Sequence, residues 1–277
     1  VRTLLLFIPA AAALAADPSA DEIVRKALAR DQENWLAARN YTFLERQVRR
    51  TFSEGRVAGT RIRTYDVTMQ DGSPYRRLIA ENDQPLDAKR QRDEEEKLRK
   101  SIAARQSETG EQRQKRLAQE EKDRAREREF TNEIPAAFDL KLAGSGRLSG
   151  RDCWIIEGTP KADYRPRART ARVFPSLKGR LWIDKQDYGL VRGEAEVIRT
   201  ISYGLFLARI HAGTKVTFEQ ARINQEVWLP HRIYAQVAGR LGLIKKLDLD
   251  LDIAYRDYKK FQAESRITSV SAGPASR

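Results

Sequence analysis

Residues that build chemical sites are scarce in this chain. Its 277 residues include one cysteine and two histidines. A lone cysteine excludes an internal disulfide, so the fold has to hold by packing. Cys153 lies in Asp152-Cys153-Trp154-Ile155-Ile156 and reads as a small core residue rather than a reactive thiol. His211 and His231 sit in no motif, and neither has the spaced partners of a triad or a zinc site. No Gly-x-Ser-x-Gly occurs, and Gly144-Ser145-Gly146 lacks the lysine and helix of a phosphate loop. The expectation is a protein that is not an enzyme, with no catalytic residue, metal or cofactor.

Long apolar runs are also missing. The longest, Leu4 to Ala16, is broken by Pro9 and is shorter than the about 20 residues a spanning helix needs. Arg2 precedes it, Ala13-Leu14-Ala15 gives a small-x-small pattern, and polar residues follow from Asp17. That is the anatomy of a secretory signal peptide over residues 1–16, cleaved near Ala15. It implies a periplasmic or extracellular protein. Negative charge is the last shortage: 39 acidic residues face 52 basic ones, a formal net charge of +13. In a cytosolic protein such an excess points to nucleic acid. Export sets that partner aside and leaves anionic lipid surfaces, or solubility alone, as its meaning.

The residues that are present alternate. Ala20 to Arg39 has helical spacing through Ile23, Ala27 and Leu28, with Leu36 further along the same side. From Tyr41 the period falls to two. Strands are expected from Tyr41, from Arg56 to Gln70 and from Tyr75 to Glu81, with Ser53-Glu54-Gly55 and Asp71-Gly72 as turns. Leu86 to Phe130 breaks the pattern with runs such as Asp93-Glu94-Glu95-Glu96-Lys97, which read as two solvated helices divided at Thr109-Gly110 and projecting as a hairpin. Strands resume after Pro135 and end in Leu247, Leu249, Leu251, Ile253 and Tyr255, whose intervening aspartates form a wet face. Residues 262–277 read as a disordered tail. The fold class expected is α+β: a curved antiparallel sheet of roughly nine to eleven strands over residues 17–261, with an N-terminal helix and a charged helical insertion at 86–130. Tyr65, Tyr75, Trp154, Trp182 and Trp228 fall on strands, as ordinary core or as the lining of an apolar cavity. Arg165, Arg167, Arg169 and Arg172 make one loop basic.

Three blocks carry a family resemblance: Gly150-Arg151-Asp152-Cys153-Trp154-Ile155-Ile156-Glu157-Gly158-Thr159-Pro160, Arg180-Leu181-Trp182-Ile183-Asp184-Lys185-Gln186-Asp187-Tyr188-Gly189-Leu190-Val191-Arg192, and Glu226-Val227-Trp228-Leu229-Pro230. Their order and spacing resemble outer-membrane lipoprotein-sorting proteins of the LolA/LolB-like carrier fold. The resemblance implies a half-open β-barrel with helices over its mouth, holding lipoprotein acyl chains or lipid. It also places Pro74-Tyr75-Arg76-Arg77 on the strand where a basic residue affects cargo, so Arg76 and Arg77 join the candidate site. The charged insertion has no counterpart in those carriers. A regulatory sensor that binds an envelope protein through 86–130, and a structural protein on an anionic membrane surface, are the competing readings.

Overall fold

The computed structural model describes residues 18–70, 73–203, 207–242 and 245–261. The signal-peptide run, the Asp71-Gly72 turn signal and the tail at 262–277 lie outside the described residues. Helix α1 (Ala20–Ala38) opens the structure, capped by Ser19, whose hydroxyl accepts from the Glu22 amide. Three long strands follow: β1 (Tyr41–Ser53), β2 (Arg56–Gln70) and β3 (Ser73–Glu81). After the short β4 (Gln84–Pro85) come α2 (Ala88–Gln106), α3 (Gly110–Asn132) and the single turn α4 (Ile134–Ala137). The remainder is strand: β5 (Phe138–Leu148), β6 (Arg151–Pro160), β7 (Leu177–Asp184), β8 (Leu190–Val197), β9 (Ile201–Tyr203), β10 (Ala208–Ile210), β11 (Lys215–Ile223), β12 (Val227–Leu241) and β13 (Lys245–Lys260). A 3-10 segment, Thr170–Ser176, precedes β7.

All pairings are antiparallel and build one open sheet in the order β4-β3-β2-β1-β13-β12-β11-β8-β7-β6-β5, with β10 on β12 and β9 on β10. This is an α+β half-open barrel, with thirteen strands among the described residues against the nine to eleven expected. The excess lies in β4, β9 and β10, each of two or three residues, too short to show a period of two.

Register divides the sheet into two chemical faces, because residues directly opposite share a face. One row runs Gln47, Ile253, Ile233, Phe218, Gly193, Leu181, Ile156, Leu142. This is the inner face, and α1 lies on it: Ile23 and Val24 pack with Trp154, Ile156 and Ile183. The neighbouring row runs Arg46, Ala254, Arg232, Glu219, Arg192, Trp182, Ile155. That outer face is laced by ion pairs, Arg232–Asp252 at 2.7 Å and Arg192–Glu219 among them. An open cleft of about 540 Å³ on it has Glu157, Lys178, Arg180, Glu194 and Lys215 among its walls.

The charged insertion joins the two edges of the sheet. Its helices have no buried residue, as their composition demands. They do not project as a hairpin, however. Helix α2 returns along β3, tied by Arg90–Glu81 at 2.8 Å and by Ser101 to Gln70 at 2.7 Å. A corner follows at Glu108, whose carboxylate accepts from Arg105 and Arg116 and is held down at about 2 by those hydrogen bonds. Thr109 and Gln112 then form a capping box and start α3 in a new direction. Helix α3, about 35 Å long at 1.5 Å per residue, begins beside Ser73 at one edge, where Arg116 and Glu120 hold it. It crosses α1 at Arg124 and ends with Phe130 on Phe174 near the other edge, ring centroids 4.5 Å apart. The expected hairpin is instead a strap, because each helix has more to gain from its own partners on the sheet than from its equally charged neighbour.

Candidate functional site

Helix α1 is seated on the sheet by a polar device. Beyond Arg232, β12 loses its partner on the β13 side. Asn34 fills the gap: its amide nitrogen donates to the Trp228 carbonyl at 2.5 Å and its oxygen accepts from the Trp228 amide at 2.6 Å. A buried side chain thus replaces a strand neighbour. The helix end is packed by Ala37 and Ala38 on Tyr41, Val227 and Leu229.

Between α1, α3 and the inner face lies a cavity of about 530 Å³. Leu28 and Ala27 come from α1, Ile134 from the α3–α4 junction, and Leu181, Leu190 and Phe218 from the sheet floor. Charged groups gather on the helical side: Asp31, Arg124, Glu127 and Arg128. Arg124 lies 3.4 Å above the Trp35 ring and donates to the Gln32 carbonyl at 3.2 Å, so one side chain joins the strap to α1. Burial, then Arg128, lowers the Arg124 guanidinium from its ordinary value. Burial, then Glu127, raises the Asp31 carboxyl, with Arg124 opposing. The chamber therefore has apolar walls and a polar mouth, with volume enough for a medium-sized organic ligand.

The sequence-predicted residues divide by face. Trp154 is buried against α1 and stacks on Tyr188, ring centroids 5.2 Å apart, so it is core. Trp182 does not face the chamber: it lies on the outer face between Arg180 and Arg192, 5.8 and 5.7 Å from its ring. Trp228 contributes to the chamber lining. Its indole packs with Cys153 and Val191 and donates to Asp187 at 3.1 Å. Cys153 is fully buried there, and burial pushes its thiol up to about 11. Tyr65 and Arg76 meet on the inner face beyond the chamber, the guanidinium 4.7 Å from the ring. Arg76 also pairs with Glu45, a carboxylate 8% exposed that accepts from Gln47 at 2.6 Å as well and lies by Tyr255, whose hydroxyl burial pushes up to about 12. Tyr75 and Arg77 take the opposite parity, Arg77 bonding Asp66 at 2.8 Å. Arg165, Arg167, Arg169 and Arg172 are all exposed. Their loop is fixed by Glu133, which accepts from Tyr164 and from the Arg167 and Ala168 amides at 3.0 and 2.5 Å. Burial works against that charge, yet the hydrogen bonds keep Glu133 below the usual carboxylate range.

Sequence reasoning missed Trp35, Leu190, Phe218 and Arg124. The apolar members are visible as strand or helix positions, but the α1–α3 crossing that makes a chamber of them is not. Among the described residues no cluster of three metal-ligating side chains occurs and no helix is long and apolar enough to cross a membrane.

No protein-family model matches the chain, and no curated protein sequence matches it. Solved structures do. An outer membrane lipoprotein-sorting protein domain from Vibrio parahaemolyticus matches at 10% identity and TM-score 0.36, covering 88% of this chain and 95% of that one. A LolA superfamily protein from Nitrosomonas europaea matches at 12% identity and TM-score 0.31, covering 88% and 94%. The MucA/MucB complex of Pseudomonas aeruginosa matches at 11% identity and TM-score 0.26, covering 88% and 99%. At these TM-scores the likenesses carry no argument about what this chain binds.

Proposed function

We propose that this chain is a carrier or binding protein of the cell envelope whose cargo is an amphiphile bearing an acyl chain, a lipoprotein or a lipid. The observation that carries the reading is the chamber of about 530 Å³ between α1, α3 and the inner face. Leu28, Ile134, Leu181, Leu190 and Phe218 offer an acyl chain dispersion contacts and freedom from water. Asp31, Arg124, Glu127 and Arg128 offer a polar head the mouth it needs. Arg76, paired with Glu45 and stacked on Tyr65, is a second polar station along the same inner face.

Titration with a fluorescent fatty acid tests this. The parent protein gives saturable binding near one per chain, and Ala27→Phe, which enlarges an α1 side chain at the chamber wall, weakens it at least ten-fold with the melting temperature maintained. Absence of saturable binding in the parent, or equal affinity in the variant, contradicts the reading. Partner binding through the charged insertion is the competing reading. The exposed side of α2, with Lys100–Glu96 at 2.7 Å and similar pairs, leaves room for it. A complex with another envelope protein that survives Ala27→Phe and is lost on charge reversal along α2 supports it.

A further inference from the structure

The inner face continues past the chamber toward the β1–β2 hairpin. One row of it runs Arg61, Arg49, Leu251, Ala235, Val216, each residue directly opposite the next. It lies two residues along each strand from the row of Gln47, Ile253, Ile233 and Phe218, with no register shift between the two, so both rows share one face. Val216, 38% exposed, stands next to Phe218 of the chamber floor. At the other end Arg49 and Arg61 are both exposed and face one another across β1 and β2. Neither makes an ion pair or a hydrogen bond through its side chain among the described residues. Nearby arginines of the same face do: Arg63 bonds Glu81 at 3.0 Å, and Arg76 pairs with Glu45. Between Arg49 and Arg61 lies an open pocket of about 310 Å³, with Thr51, Gly59 and Thr60 as its other walls. Gly59, opposite Thr51, has no side chain to fill it. No carboxylate among the described residues lines this pocket, whereas the outer-face cleft and the chamber both set carboxylates among their cations. Like charges directly opposite destabilise a sheet, so the fold alone gains nothing from this pair.

We propose that Arg49 and Arg61 hold the phosphate group of an amphiphile whose chain lies along Leu251, Ala235 and Val216 toward the chamber. Two planar guanidiniums offer paired N–H donors to the oxygens of a phosphate. A phosphate monoester near neutral pH carries a charge of about −1.5 to −2 and so balances both arginines, where a carboxylate balances one. The apolar row begins at Leu251, directly opposite Arg49, and three strand spacings of about 4.8 Å carry it from Arg49 to Val216, about 14 Å away. The inference rests on the carrier reading and narrows its cargo to lipids with a phosphate monoester.

Calorimetric titration with monolauroylglycerol and with its 3-phosphate, both below their micelle concentrations, tests the inference. The parent binds the phosphate form at least about ten-fold more tightly, the low end for one hydrogen bond to a charged group. Arg49→Gln with Arg61→Gln abolishes that preference and leaves the affinity for monolauroylglycerol unchanged. Without ligand the double variant melts at or slightly above the parent, because the facing like charges are gone, so misfolding is separable. Ala27→Phe, which narrows the chamber, weakens both lipids alike. Equal affinity of the parent for the two lipids overturns the inference and leaves the carrier reading standing. So does a phosphate preference that survives the double variant. Inorganic phosphate that binds as tightly as the lipid phosphate also overturns it, since the pocket then serves a free anion. Binding of neither lipid overturns the carrier reading together with the inference.

Discussion

Asn34→Ala removes the side chain that pairs with both backbone groups of Trp228, where β12 runs beyond its ladder with β13. The Trp228 amide and carbonyl, bonded at 2.6 and 2.5 Å in the parent, are left facing the helix without partners. Trp228 is 3% exposed and Asn34 8%, so water does not replace the loss freely. A buried group stripped of its partner costs about 1–3 kcal/mol, and two such groups sharing one relaxing site give roughly 2–4 kcal/mol in sum. For a chain of this size 1 kcal/mol moves the melting temperature by about 2–4 °C, so a fall of roughly 5–15 °C is expected. Asn34→Asp is a sharper test. It is nearly isosteric and still accepts from the Trp228 amide, yet it sets a carboxylate against the Trp228 carbonyl. It is therefore at least as damaging as alanine at neutral pH, and its damage lessens as the carboxyl protonates. Thermal melts with hydrogen exchange at α1 amides measure both variants. If Asn34→Ala melts within 2 °C of the parent, or Asn34→Asp matches it, the seating of α1 does not rest on this contact.

Gly189→Ala drives a methyl into the Trp228 indole, 2.1 Å from the ideal Cβ position, and costs about 1–3 kcal/mol by overpacking; a denaturant melt reads it, and an unchanged midpoint refutes it. Arg124→Met removes the cation on Trp35 and frees the strap from α1; protease cleavage within α3 accelerates while global stability drops by about 1 kcal/mol, and equal cleavage rates count against the strap. The Cys153 thiol, raised to about 11 from an ordinary 9.0, stays silent to thiol reagents at pH 8 in the folded protein. Its folded value lies above its unfolded one, so its contribution to stability is complete below about pH 9 and is lost as pH rises through about 11; Cys153→Ala removes that alkaline slope.

Much of the fold is legible in the residues themselves. Leu247 to Tyr255 alternates without interruption because β13 is central, with one apolar and one salted face. Helix α1 shows its Ile23, Ala27 and Leu28 spacing, although Leu36, expected on the same side, is 64% exposed, and the turn at Glu54-Gly55 is marked by its glycine, at home at positive φ. The candidate site was read less well, for two physical reasons. Alternation assigns neighbours to opposite faces without saying which face is inner, so Arg76 and Arg77 were inseparable, as were Trp154 and Trp182. Register irregularities, at Trp182/Ile183 and Glu219/Gln220, then reset the parity. The second reason is distance along the chain. Trp35 and Arg124 touch across 89 positions, a contact made by the strap's direction, and that direction depends on a corner at Glu108 whose ion pairs look like any others in a charged run.

Native mass spectrometry of the protein purified from an envelope fraction, with lipid extraction of the same sample, tests the central claim most directly. An adduct near one per chain, an acylated peptide or lipid, is expected, and it is lost in Ala27→Phe. A clean unliganded mass in the parent, with no extractable lipid, contradicts it.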